Sequence, residues 1–192
     1  RIWLPSAARD LFSSHASVKS AVIENKTIKI VLEKTAATLP LILRKTIIVK
    51  AASPGFTVDY QLVNNGSANC EFSLWVKNML PVLSGSPLYF NERDNKMSPV
   101  DSSHGEHIYT AGQGFHPGFP PTIVRGVLSG AKSTAQSGGL KITVANDYTK
   151  LMNYYYWTSP TIATWEWMYK PATLAPGQSW QTTTGYSVTW NQ

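Results

Sequence analysis

The sequence predicts an all-β protein, built as a sandwich of antiparallel sheets. Apolar and polar residues alternate with a period of two in most of the apolar segments, as half-buried strands require. Clusters of Gly, Pro and Asn separate these segments and supply the turn chemistry of short connections. Helical periodicity is weak, and only "PSAARDLFSS" near the start is compatible with a short helix or turn.

The strands follow in order from "KTIKIVLEK", where Ile28, Ile30 and Leu32 fall on one face. The segments "LILRKTIIVK", "FTVDYQLVN", "CEFSLWVKNML" and "GLKITVAND" alternate in the same way, and the turns "ASPG", "NNGS" and "QSGG" lie between strands. The last third adds "LMNYYYW", "TWEWMY" and "SWQTTTGYSVTW", rich in the aromatic and β-branched residues that favour strands. The single Cys70 excludes an internal disulfide and is expected to be a small buried residue.

The segment from Ser84 to Pro121 departs from this pattern. It is crowded with Gly, Pro and Ser and shows little periodicity. We expect one long loop excursion from the sandwich, because long stretches of this composition are usually functional loops. The 192 residues fit a single domain, residues 1–192, since this length suffices to bury one substantial core.

Composition narrows the classes of function. Charged residues make up only 15% of the chain, and 17 Lys and Arg against 11 Asp and Glu give a formal net charge of +6. The basic residues are scattered, which argues against nucleic-acid binding, and no apolar run approaches the ~20 residues of a membrane span. We expect an extracellular or cell-surface protein, with Asn25 in "NKT" and Asn65 in "NGS" as glycosylation sites.

A carboxylate between two tryptophans stands out in "ATWEWMYKPATLAPGQSW". Alternation places Trp165 and Trp167 on one face of a strand and Thr164, Glu166 and Met168 on the other. The tryptophans suit the sandwich core, where each ring buries ~150–250 Å². Glu166 then faces the opposite surface, either as a solvated charge or as a ligand contact.

The stretch "SLWVKNM" places Trp75 and Lys77 on one face. Such a face offers an aromatic plane for a pyranose ring with a cation beside it; the alternative is a core tryptophan and a solvated lysine. In "MNYYYW", Tyr156 shares a face with Tyr154, Tyr155 shares the other with Trp157, and at least one of these faces is core. The predicted ligand contacts are Trp75, Lys77, His116, Tyr156 and Glu166.

Three histidines lie in the long Gly-rich segment, at His104, His107 and His116. Neutral imidazoles are ligands for transition metals, but a Gly-rich segment does not force three side chains to converge. We therefore expect surface histidines and no metal site. No phosphate-binding glycine loop and no nucleophile elbow is present, so no cofactor is expected.

The strand of Glu166, the turn "LAPGQSW" and the closing strand "QTTTGYSVTW" resemble the C-terminal end of the galactose-mutarotase-like, or aldose-1-epimerase-like, β-sandwich superfamily. "KTIIVKAASPGFTVDYQLVNNGSANCEFSLWVKNML" and "GGLKITVANDY" are similar to its central strands, so the resemblance covers Leu41 to Thr189 in a short, divergent chain. It implies a glutamate as general base and a histidine on a central strand as general acid. Glu166 matches the glutamate, whereas Trp75 to Asn78 contain no histidine.

We therefore expect a secreted carbohydrate-binding domain with a concave sugar-facing surface and no turnover. One alternative is a structural subunit of an extracellular filament, surface layer or complex, which assembles with itself or another chain through strand or edge pairing. A second alternative is a carbohydrate-active enzyme, an epimerase, lyase or hydrolase, in which Glu166 is the general base.

Overall fold

The computed structural model describes residues 2–3, 9–10, 15–80, 87–100, 105–111, 124–158 and 163–190. Within these residues the secondary structure is all strand and turn, in two mainly antiparallel sheets with a sandwich-like arrangement. The predicted all-β sandwich is confirmed. The chain divides into two compact units, Arg1–Leu74 with Pro171–Ser187 (unit 1) and Trp75–Lys170 with Val188–Gln192 (unit 2). The described residues include no helix of the length and apolarity that crossing a membrane requires.

The strands follow one another closely along the chain and range from 2 to 12 residues. In chain order they are β1 (Ile2–Trp3), β2 (Arg9–Asp10), β3 (Ser17–Glu24), β4 (Thr27–Thr35), β5 (Leu41–Lys50), β6 (Gly55–Asn64), β7 (Cys70–Leu80), β8 (Leu88–Arg93), β9 (Lys96–Pro99), β10 (Gly105–Ala111), β11 (Val124–Leu128), β12 (Lys132–Ser137), β13 (Leu140–Asn146), β14 (Leu151–Thr158), β15 (Ala163–Tyr169), β16 (Ala172–Leu174) and β17 (Ser179–Trp190).

Unit 1 contains an antiparallel ladder in the order β3, β4, β5, β6, β17. Its register aligns one apolar row across all five strands, which runs Ile23, Ile28, Val49, Phe56 and Tyr186. The rings of Phe56 and Tyr186 stack with centroids 4.4 Å apart. The register thus places Ile28 and Leu32 on the same face of this sheet as Phe56 and Tyr60, as alternation in the sequence predicts.

Two of the described hairpins turn through two consecutive residues in the left-handed backbone region. Asn25 and Lys26 connect β3 to β4 with φ of 48° and 60°, and Asp94 and Asn95 connect β8 to β9 with φ of 50° and 60°. Two consecutive positive φ angles are the signature of a type I′ turn, whose twist matches that of the flanking strands. Asn25 is exposed in its turn, and Asn65 is exposed after β6, so glycosylation of both sequons stays a prediction.

The loop expected from Ser84 to Pro121 needs correction. Strands β8, β9 and β10 lie within it, and β8 and β9 form a hairpin. The Asp94–Asn95 turn supplies a hairpin signal that the Gly and Pro content of the segment obscured. Near the start, Arg9–Asp10 pair with Ile2–Trp3 as strand rather than helix, and the rest of "PSAARDLFSS" lies outside the described residues.

Unit 2 contains two layers of strands. One has the order β11, β10, β14, β15 and the part of β7 from Trp75 onward, with β10 and β11 parallel and the other pairs antiparallel. The other joins β13, β12, β8 and β9. Trp165 and Trp167 are buried with ring centroids 5.8 Å apart, so their predicted core role is confirmed.

A polar network crosses the core of unit 2. Trp165 Nε1 donates to Ser133 Oγ at 3.1 Å, and Ser133 Oγ lies 2.7 Å from Tyr156 Oη. Tyr156 Oη also donates to Asn91 Oδ1. These bonds join β14 and β15 to β8 and β12, so the faces that carry Trp165 and Tyr156 point between the two layers.

Candidate functional site

The strands β7 and β15 place the predicted contact residues side by side. In their antiparallel register, Glu166 is directly opposite Lys77 and Met168 is opposite Trp75. Directly opposite residues project from the same face of a sheet. Trp75, Lys77 and Glu166 therefore share a face, which is the face opposite to the buried Trp165 and Trp167.

Strand β14 completes this face on the other side of β15. Its register sets Asn153 opposite Met168, Tyr155 opposite Glu166 and Trp157 opposite Thr164. We call this face of the unit 2 sheet, most of whose side chains are buried, the Glu166 face. It consists of Trp75, Lys77 and Met79 from β7, Thr164, Glu166 and Met168 from β15, and Asn153, Tyr155 and Trp157 from β14.

Glu166 is fully buried, with 0% of its side chain exposed, so its interpretation as a solvated charge is wrong. Its Oε1 lies 3.2 Å from Lys77 Nζ, and the Lys77 side chain is 32% exposed. The two atoms are within ion-pair distance but outside hydrogen-bond geometry, and neither Glu166 oxygen accepts a hydrogen bond within the described part of the chain. The carboxylate thus has a counter-ion and unused acceptor capacity.

Two further polar side chains of the Glu166 face are buried without hydrogen bonds. Neither amide atom of Asn153 nor the hydroxyl of Thr164 has a partner among the residues that the structure describes. Buried polar side chains in folded proteins nearly always have at least one partner, and each unpaired group costs ~1–3 kcal/mol. Three residues with such groups, Asn153, Thr164 and Glu166, therefore lie on one face of two neighbouring strands.

Aromatic rings flank these polar groups. Trp75 is 9% exposed, and its ring meets Tyr155 edge to face with centroids 6.0 Å apart and planes at 79°. Trp157 on β14 is half-buried. Rings beside hydrogen-bonding groups are the usual composition of a small-molecule site.

Tyr156, a predicted ligand contact, does not lie on this face, and its contact with a ligand stays a prediction. It is buried between the layers of unit 2, where Asn91 and Ser133 bond its hydroxyl. Tyr155 takes its place on the Glu166 face, because period-two alternation gives neighbouring residues opposite directions.

The predicted histidines cannot be placed in the site. His104 and His116 lie outside the described residues, and for His107 the structure describes only the backbone, opposite Tyr156 in the pairing of β10 with β14. The expectation that the chain holds no metal stays a prediction.

Sequence reasoning missed Asn153 and left Thr164 unused. Alternation already assigned Thr164 to the same face as Glu166, and Asn153 shares its parity with Tyr155 and Trp157. What the sequence lacks is the register between β14 and β15, including the irregularity between Leu151 and Asn153 that sets Asn153 beside Met168. That register decides which polar residues meet.

No family model and no curated protein matches the sequence, whereas solved structures match its fold. A protein from Synechocystis sp. PCC 6803 is 13% identical, with a TM-score of 0.61 over 92% of this chain and 66% of its own. A galactose mutarotase-like protein from Clostridium acetobutylicum is 10% identical, with a TM-score of 0.60 over 92% and 67%. Another from Lactobacillus casei ATCC 334 is 14% identical, with a TM-score of 0.56 over 91% and 73%.

These comparisons confirm the predicted resemblance at the level of the fold. At identities of 10% to 14%, the likeness concerns the path of the chain and not the residues of a site. The chain spans about two thirds of the length of the first of these proteins, 66%.

Proposed function

We propose that this protein is a carbohydrate-binding domain and that the Glu166 face is its ligand site. The observation that carries the proposal is the set of buried, unbonded polar groups of Asn153, Thr164 and Glu166. A sugar suits such a set because every hydroxyl both donates and accepts. The galactose mutarotase-like proteins that share this fold add support from their names alone.

The individual groups match the needs of a sugar. Glu166 accepts from hydroxyl groups in charge-assisted hydrogen bonds, which are roughly twice as strong as neutral ones. Lys77 donates, and the Asn153 amide does both. Trp75 and Tyr155 offer apolar surface to the C–H groups of a pyranose ring.

We propose binding without turnover. General acid–base catalysis at an anomeric centre needs one group that removes a proton and a second that delivers one, most often a histidine. None of the nine residues of the Glu166 face is a histidine, and Lys77 already serves Glu166 as counter-ion at 3.2 Å. The enzyme alternative predicts that Glu166→Gln abolishes a sugar conversion that the wild type performs.

We also propose an extracellular location. The low charge content of 15% supports it, as does the exposure of both sequon asparagines, Asn25 and Asn65, in connections between strands. A mass decrease after enzymatic removal of N-glycans from protein secreted by a eukaryotic host is the expected result.

A second candidate function is self-association through β3. Every residue of this strand is exposed, and within the described chain it pairs with β4 alone. An unpaired strand edge presents main-chain donors and acceptors to another chain, so edge pairing is the assembly mode that this strand favours.

Binding to a glycan array tests the carbohydrate proposal, with Glu166→Gln and Trp75→Phe beside the wild type. Glu166→Gln keeps nearly the original side-chain volume, so its loss of binding reports on contacts rather than on packing. Trp75→Phe keeps an aromatic ring but removes the indole N–H and part of the ring surface. Glu33→Gln is the matched control, because Glu33 is a carboxylate paired with Lys19 and Arg44 in unit 1. We expect at least tenfold weaker binding for Glu166→Gln and unchanged binding for Glu33→Gln. Absence of binding by the folded wild type contradicts the proposal.

A further inference from the structure

We infer that the Glu166 face selects neutral sugars over both acidic and amino sugars; this inference rests on the proposed function. The charges of the face carry it. Of its nine residues, only Lys77 and Glu166 are ionisable under ordinary conditions, and they form an ion pair at 3.2 Å. The face therefore has no net charge to offer a ligand.

A charged ligand gains little from this pair. Because Lys77 Nζ and Glu166 Oε1 are 3.2 Å apart, a carboxylate placed against the lysine also lies close to the glutamate, so attraction and repulsion nearly cancel. An ammonium group placed against the glutamate meets the same cancellation with the signs reversed. Either ion still gives up its hydration, which is a large cost at a buried site.

A hydroxyl group avoids this cost and uses the free capacity of the site. Glu166 has acceptor positions, the Asn153 amide has donors and an acceptor, and the Thr164 hydroxyl has both, all without partners in the described chain. Each bond to a sugar hydroxyl replaces one that the hydroxyl made with water. Because Glu166, Asn153 and Thr164 can each bond a hydroxyl, the site favours a ligand with several neutral hydroxyls over one with a charged substituent.

The overall positive charge of the protein predicts a preference for acidic sugars, which is the opposite of what the Glu166 face predicts. A formal net charge of +6 attracts anionic glycans at long range and raises their encounter rate. Affinity and selectivity, however, are set by the groups that the bound ligand touches. Local neutrality at the Glu166 face therefore outweighs the global excess of positive charge.

The test is a glycan array on which each neutral sugar is printed beside its uronic-acid and 2-amino counterparts. Dissociation constants of the best-binding set are then measured by calorimetry at 0.05 M and 0.5 M NaCl. We expect the neutral member to bind at least tenfold more tightly than both charged members, with less than a twofold change between the salt concentrations. A uronic acid that binds as tightly as its neutral parent overturns the inference.

Two variants that each remove one charge of the ion pair provide a second test, because their expected changes in selectivity are opposite. In Glu166→Gln the cation of Lys77 is unopposed, so we expect the preference to move toward the uronic acid by at least tenfold. In Lys77→Met the carboxylate is unopposed, and the preference moves toward the amino sugar. Glu33→Gln leaves the selectivity unchanged, because Glu33 lies in unit 1.

The outcomes separate this inference from the proposed function. Binding that prefers a charged sugar, or variants that keep the wild-type selectivity, overturns the inference and leaves carbohydrate binding in place. No binding to any member of the array overturns both. If one of the two charge variants fails to fold, the change in sugar preference expected of the other variant still tests the inference.

Discussion

The buried ion pair between Glu166 and Lys77 makes a clear prediction for stability. Lys77→Met removes the cation that lies 3.2 Å from the fully buried Glu166 carboxylate. Removing one partner of a buried pair usually costs ~3–5 kcal/mol, and because Lys77 is 32% exposed we expect a smaller loss of stability, ~2–3 kcal/mol. Urea unfolding of wild type and variant measures the loss.

A double variant separates loss of charge balance from loss of packing. In Lys77→Met with Glu166→Gln no charge remains to be compensated, so most of the lost stability returns. A double variant as unstable as the sum of its two single variants contradicts a coupled pair at this position.

Lys45 presents the opposite case, a cation without a counter-ion in the described chain. It projects from the row Leu32, Lys45, Tyr60 of unit 1, with Nζ 5.5 Å from the centre of the Tyr60 ring. Burial lowers the pKa of the Lys45 amine below its ordinary value of 10.5. The charged form is therefore penalised in the folded state, and Lys45→Met is expected to stabilise the protein.

The pH dependence of this gain follows from proton binding. Between the folded and the unfolded pKa of Lys45, the unfolded chain binds more protons, so wild-type stability rises with pH through that window. The advantage of Lys45→Met is thus largest at neutral pH and shrinks as the pH approaches 10.5. Unfolding curves of both proteins at pH 7 and pH 10 measure the difference, and an advantage that grows with pH contradicts the assignment.

The face to which each side chain points was largely predictable from the sequence, whereas the residues that it contacts were not. Period-two alternation alone assigns Trp165 and Trp167 to one face and Glu166 to the other. It gives Tyr155 and Tyr156 opposite directions but does not say which of the two faces the other layer of unit 2, where Tyr156 bonds Asn91 and Ser133. The burial of Glu166 also lay beyond the sequence, since it depends on what surrounds its strand.

At the scale of elements, strand β3 carries the prediction on assembly. Ile23 is 77% exposed and Val18 is 64% exposed, in a strand that pairs with β4 alone among the described residues. We expect the average mass of the wild type to rise with concentration in analytical ultracentrifugation. Ile23→Lys should suppress the rise, because charged side chains on an edge strand oppose pairing with another chain.

The control is Leu88→Lys, which adds the same charge at an exposed position of β8, a strand already paired on both sides. It should leave association unchanged. A wild type that stays monomeric at all concentrations contradicts assembly through β3.

Some strands were harder to predict than others for a physical reason. In β6 one face is buried at Val58, Tyr60 and Leu62, so alternation is clear in the sequence. In β8 the buried side chains include the polar Asn91, which Tyr156 bonds across the core, and this weakens the apolar pattern. Polar core contacts are thus what concealed β8 within the segment expected to be a loop.

At the scale of the whole molecule, the fold was the most predictable property. Alternating strands and Gly, Pro or Asn turns define an antiparallel sandwich, and solved galactose mutarotase-like proteins reach TM-scores of 0.60 and 0.56 with this chain at 10% and 14% identity. Many sequences satisfy the same burial pattern, so fold persists where side chains differ. The function proposed here depends on a few residues that register brings together, Asn153, Thr164 and Glu166.

Nuclear magnetic resonance of the side-chain amide of Asn153, during titration with the neutral sugar that binds best, tests the central claim most directly. Both amide atoms are buried without partners in the described chain, so a bound hydroxyl must change their signals. We predict saturable shifts of the Asn153 amide and the Trp75 indole with one dissociation constant. Saturable binding that leaves both signals unchanged would place the sugar elsewhere and contradict the Glu166 face as the ligand site.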